Sequence, residues 1–188
     1  MDKRMIENAR VRRATANALI ALMKRKRFSE ISVTDIVREA GIARQSYYRN
    51  FDCKEDVIRE YMIEIQQNTM KQIKKEHLCE MNPAAIKTIL DGLKNHSSEM
   101  NVIYNAGLSV LVLDAINEVC EMCFGNMPFN STQRYQLYCL AGMIFNVEMK
   151  WLQNGVAEDS AELADVIFSF STKELIDVGE NTFTYRPL

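Results

Sequence analysis

Glycine and proline are scarce in this 188-residue chain, at 7 and 3, and tryptophan occurs once. So few turn formers argue against a fold of many short strands and for long helices. No stretch of about 18 uncharged apolar residues occurs, so a membrane span is not expected. The first residues, MDKRMIENARVRR, carry charge without an apolar segment behind it and do not read as a secretory signal. A cytoplasmic location is the expectation. Five cysteines (Cys53, Cys79, Cys120, Cys123 and Cys139) are an odd number at irregular spacing. That suits free thiols in a reducing compartment better than a disulfide framework.

Catalytic constellations are also missing. His77 and His96 are far apart and have no E-x-x-H or H-x-x-x-H partner, so no zinc or di-iron site is expected. Cys120-x-x-Cys123 has metal or redox spacing, but it falls within a helical pattern and lacks a second pair, so two buried or reducible thiols are the plainer reading. Asp91, Asp114 and Glu148 are scattered acids that form no carboxylate pair. There is no phosphate loop and no nucleophile elbow. The expectation is a chain without catalysis, cofactor or metal.

What is present is an ordinary globular composition, 47% hydrophobic and 26% charged, with an uneven charge distribution. Up to Lys54 there are 13 basic residues against 6 acidic ones; the remainder has 10 against 19. A basic segment on an acidic body suits a module that binds a polyanion. A run of charge can also be a solvated face, so the motif has to decide.

The periodicity predicts helices throughout. A first helix runs from about residue 8 to 26, with Thr15, Ala18, Leu19, Leu22 and Met23 on one face and Lys24-Arg25-Lys26-Arg27 closing it. Ser32-Val33-Thr34-Asp35 has capping-box spacing and opens a short helix that stops at Gly41. A third helix runs from about Ala43 to Asn50, and Asp52 stands where it would cap the next. That fourth helix is long, from about Cys53 to Lys74-Lys75. Pro83 opens the following stretch, and apolar patterns continue over Ala85–Leu93 and Val102–Phe124. Asn130-Ser131-Thr132 caps a long helix through Trp151, and a last helix spans about Ser160 to Val178. The fold class is therefore all-α: an N-terminal three-helix, helix-turn-helix domain (1–52) joined by a long helix to a larger helical domain (53–188).

The stretch from Arg13 to Tyr61 resembles the DNA-binding domain of TetR-type (tetracycline-repressor-like) transcriptional regulators. Its marks are S-V-T-D-I-V-x-x-A-G-I from Ser32 to Ile42, S-Y-Y-x-N-F from Ser46 to Phe51, and the Lys54-Glu55 pair. L-x-G-M-I-x-x-x-x-x-W-L-x-x-G, from Leu140 to Gly155, resembles the C-terminal domain of a TetR branch common in low-GC Gram-positive bacteria. Two positions depart from the pattern: Arg27 stands where Gly is frequent, and Ala43 where a capping Ser or Thr is frequent. A left-handed Arg27 would cost on the order of 1 kcal/mol against Gly.

The resemblance implies that the third helix enters the major groove of double-stranded DNA. Arg44 and Gln45 then lead as base readers, since Arg suits guanine and Gln suits adenine, with Ser46 as a third. Thr34, Tyr48, Asn50 and Lys54 fall at phosphate-contact positions, Tyr47 replaces a usual Leu in the core, and Arg10, Arg12 and Arg13 are either backbone contacts or solvated charges. The resemblance further implies a homodimer on a pseudo-palindromic operator, paired through the last two helices, with Trp151, Leu163, Val166, Ile167 and Phe170 at the interface. It also implies an unknown small-molecule effector, for which Tyr104, Tyr138, Phe145 and Asn146 are candidate pocket residues. The leading function is a repressor released from its operator by that effector. An activator or co-activator working through a protein partner is the alternative. A small all-α enzyme, or a dimerisation protein with a vestigial head, is a third reading, disfavoured by the basic first segment.

Overall fold

A computed structural model describes residues 3–76, 82–126, 128 and 130–175. Among these residues the secondary structure is helical: α1 Lys3–Met23, α2 Val33–Ala40, α3 Arg44–Tyr48, α4 Lys54–Lys75, α5 Pro83–Asn95, α6 Ser97–Asn105, α7 Ser109–Phe124, α8 Thr132–Gln153 and α9 Ser160–Leu175. A short 3-10 turn, Phe28–Glu30, links α1 to α2. No described helix is long and apolar enough to cross a membrane.

The chain divides into two compact units. The first comprises the residues up to Met62 together with Ser98–Leu111; the second comprises Ile63–Ser97 and the chain from Val112 onward. In the first unit α1 packs on α2 and α3, and its core is built from Leu19, Ile36, Tyr47, Ile58, Met62 and Ile103, all essentially inaccessible to solvent. Thr15 is buried on the same face of α1, where its hydroxyl donates to the Val11 carbonyl at 2.7 Å and so satisfies itself within the helix.

In the second unit α5 packs along α9. Ile86 and Leu90 of α5 and Ala164 and Ile167 of α9 are buried, and Ser160 Oγ donates to Asp91 Oδ1 at 2.6 Å across the pair. A Cβ at Gly92 would stand 2.7 Å from Thr69 Oγ1, so glycine lets α5 approach α4 there. The start of α5 follows from its sequence: Asn82 Oδ1 accepts from the Ala85 amide at 2.9 Å, and Pro83 fills the first helical position.

Several boundaries differ from the sequence expectation. α1 begins at Lys3 and ends at Met23, so the Lys24–Arg27 cluster lies past the helix. Arg27 is extended (φ −62°, ψ 141°), and the expected left-handed strain does not arise. The apolar run Val102–Phe124 is two helices, α6 and α7, separated at Gly107, whose φ of 74° only glycine adopts freely. Asp52 does not cap α4; the Asp52 and Cys53 amides instead donate back to Asp56 Oδ2. Expectations placed on His77, Cys79, the side chain of Cys123 and residues 176–178 fall outside the described residues.

Candidate nucleic-acid interface

The helix-turn-helix is built from local chemistry. The Ser32 Oγ accepts from the Asp35 amide at 3.1 Å, and the Asp35 carboxylate accepts from the Ser32 amide at 3.1 Å. That reciprocal box satisfies two otherwise orphaned amides at the start of α2, and the bonds from Ser32 hold the Asp35 carboxyl below its ordinary pKa. Gly41 ends α2 in the left-handed conformation (φ 63°), and the Ile42 amide returns to the Val37 carbonyl at 3.1 Å. Ala43 then opens α3 with no side-chain cap. Ile36 of α2 and Tyr47 of α3, both at 0% exposure, fasten the two helices to the core.

Anchoring Tyr47 inward turns the leading edge of α3 outward. Arg44, Gln45 and Tyr48 are exposed, and Ser46 is half-buried. Thr34, in the first turn of α2, joins them: Arg44 Nη1 donates to its hydroxyl at 3.5 Å, while Nη2 donates to the Tyr48 hydroxyl at 3.2 Å. Three of the anticipated residues, from two helices, thus share one exposed cluster. It presents a guanidinium fork whose geometry matches the two major-groove acceptors of guanine. Sequence reasoning overlooked Arg49, which is exposed at the C-cap of α3; the signal was a further cation one turn beyond the readers.

Two anticipated phosphate contacts are engaged within the protein. Lys54 Nζ donates to the carbonyls of Phe28 and Ile31 and stands 4.4 Å from the centre of the Phe28 ring. Its ammonium holds the connection between α1 and α2. Asn50 Nδ2 donates to the Ser46 carbonyl at 2.8 Å, and its Oδ1 accepts from Arg12 Nε at 3.3 Å. Arg12 also reaches Glu60 at 2.9 Å, so Asn50 and Arg12 together staple the end of α3 to α1 and α4. Arg10 is paired with Glu7 at 2.7 Å.

The residues considered for an effector or a dimer are dispersed. Tyr104 is half-buried in the first unit. In the second unit Phe145 is half-buried, while Tyr138 and Asn146 are exposed and bonded to Glu121 and to the Gly142 carbonyl. Trp151 and Ile167 are buried within their own subunit, and the Trp151 indole N–H donates to the Glu158 carbonyl at 3.2 Å. Leu163 is half-buried; Val166 and Phe170, one turn apart on α9, are exposed at 49% and 65%. Among the described residues no three His, Cys, Asp or Glu side chains gather as a metal site.

No family profile matches the chain, and no curated protein matches it by sequence. Solved structures do match. Lin0861 from Listeria innocua is similar at TM-score 0.72 and 15% identity, over 91% of this chain and 92% of that one. The fatty acid degradation regulator FadR from Bacillus halodurans is similar at TM-score 0.57 and 14% identity, over 88% and 96%. Thermus thermophilus FadR, a TetR-family transcriptional repressor solved with lauroyl-CoA, is similar at TM-score 0.53 and 15% identity, over 90% and 97%. The chain has the all-helical fold of the TetR-family transcriptional regulators.

Proposed function

We propose that the chain is a sequence-specific DNA-binding transcriptional regulator, acting in the cytoplasm as a repressor that a small-molecule effector releases from its operator. The observation that carries this reading is the exposed Arg44–Thr34–Tyr48 cluster at the leading edge of α3, within a segment of positive net charge. Residues 1–52 serve as the reading head and residues 53–188 as the regulatory body. The fold shared with a repressor solved with lauroyl-CoA supports an effector-binding body.

One such head makes few contacts, so a homodimer on a pseudo-palindromic site is the functional species. The exposed Val166 and Phe170 are apolar groups that a second copy would cover. If the dimer neutralises about 6–10 phosphates, affinity falls roughly 10³–10⁵-fold between about 50 and 200 mM salt.

Selection of bound duplexes from a random pool supplies the operator, and mobility shift with Arg44→Ala/Gln45→Ala then tests the head. The double variant is expected to lose the selected site at moderate salt. A shift that survives, or a flat salt response, sinks the assignment of α3 as the reading helix. Transcription that rises when the protein is added to a template carrying the site would replace the repressor by the activator alternative.

A further inference from the structure

The interior of the second unit holds two acceptor atoms with no donor. Glu148 of α8 is 2% exposed, and its Oε2 is sealed from solvent without a hydrogen-bond partner. The Oδ1 of Asn117, on α7, is likewise buried and unpartnered. Folded proteins pair buried charges and bond buried polar groups, because an apolar interior offers nothing to replace the lost water. For Glu148 burial alone pushes the carboxyl up to about 8, with no charged neighbour contributing.

Asn117 lies on α7, and Glu148 lies on the buried stripe of α8. Arg134 Nη1 donates to Glu121 Oε2 at 2.7 Å and Tyr138 Oη donates to Glu121 Oε1 at 2.9 Å, which ties the last turn of α7 to the first turns of α8. Asn117 precedes Glu121 by one turn and so shares its face. Glu148 follows Arg134 by two heptads, with the fully buried Ala141 between them. Ile144, one turn before Glu148, is buried, as are Trp151 and Leu152 beyond it. Glu148 thus stands among buried apolar neighbours on α8, its Oε2 without a donor.

We propose that Glu148 is the recognition residue of an effector site in this unit, and that the effector is a protonated amine carried on an apolar chain. The ammonium pairs with Glu148 as the buried carboxyl releases its proton to solvent, so that a neutral acid without a hydrogen-bond partner becomes a buried ion pair. The chain lies along Ala141 and Ile144 of the same buried stripe. This deepens the regulatory reading above, and it assigns the effector a charge opposite to that of an acyl carboxylate or acyl phosphate.

The test uses the full chain at neutral pH with decylamine and decanoate, both below their micellar concentrations, read by thermal unfolding and by direct titration. Decylamine is expected to raise the unfolding midpoint and decanoate to leave it unchanged. E148Q is expected to bind decylamine at least about tenfold more weakly. Equal stabilisation by decanoate, no response to decylamine, or unchanged decylamine affinity in E148Q overturns the proposal. The wild-type comparison of amine with carboxylate stands even if the variant fails to fold. Operator binding is measured separately before any amine is added. Its absence from the wild-type protein would sink the regulatory reading and leave the amine site to be judged on the titration.

Discussion

Arg44 and Tyr48, one turn apart on α3, hold one another: the guanidinium donates to the tyrosine hydroxyl at 3.2 Å and lies 5.6 Å from its ring centre. On the proposed reading of α3, a long, flexible base reader is thereby oriented in advance, which lowers the entropy lost on binding. Tyr48→Ala is therefore expected to weaken binding to the selected operator by about 1 kcal/mol and to relax discrimination at the base pair read by Arg44. Arg44→Ala is expected to cost about 1–3 kcal/mol at that same base pair. Competition binding with operators altered one base pair at a time measures both. If Tyr48→Ala weakens all sequences equally, its role is phosphate contact alone.

Tyr47 is buried completely, yet its hydroxyl has no hydrogen-bond partner, and burial raises its pKa. Its ring packs edge-on to Tyr48 at 5.3 Å and against Phe51 at 5.6 Å, so the ring contributes packing while the hydroxyl costs desolvation. Tyr47→Phe keeps the former and removes the latter, and is expected to raise stability by about 1 kcal/mol. Tyr47→Ala should lower it by about 3–5 kcal/mol. Chemical denaturation of the two variants gives both numbers, and a destabilised Tyr47→Phe would show that the hydroxyl has a partner in solution.

Lys54 separates a structural role from a DNA-binding one. Because its ammonium bonds the Phe28 and Ile31 carbonyls, Lys54→Met is expected to lower stability by about 1.5–3 kcal/mol. It should leave the slope of log affinity against log salt unchanged. A lysine that neutralised a phosphate would instead reduce that slope by about 1 per contact. A shallower slope in a variant of unaltered stability would restore the phosphate role.

The contrast between Ser32 and Lys54 shows what the sequence makes legible. Ser32, Asp35 and Gly41 act on amides and carbonyls within a few residues, so the residue type and its spacing reveal the cap, the box and the stop. Arg44, Tyr48 and Thr34 were named from the motif, and the two helices bring them together. The bonds that Lys54 and Asn50 make within the protein were not legible, because their partners, Phe28, Ile31 and Arg12, lie more than twenty residues away in sequence. Gly107 was overlooked because the apolar pattern runs on through it, and only its positive φ marks the break between α6 and α7. Glu148 passed for a scattered acid, although its spacing from Leu137, Ala141 and Ile144 placed it on the buried stripe of α8.

That buried carboxyl also sets a pH dependence of stability opposite to the common one. Its folded pKa, about 8, stands above the value near 4.3 of an unfolded glutamate. Between those limits the native state keeps a proton that the unfolded chain has released, so stability falls as pH rises through the window. The full effect is at most about 5 kcal/mol, a large part of the stability of an ordinary domain. Asp35, Asp56 and Asp91 have depressed values and contribute in the opposite sense, but their contribution is lost only as pH falls below the ordinary carboxylate range. Urea denaturation at pH 5, 6, 7 and 8 is therefore expected to show wild-type stability declining upward through the series. Glu148→Gln, which cannot ionise, should give a nearly flat line. Parallel slopes in the two proteins would mean that Glu148 is ionised and partnered in the folded state.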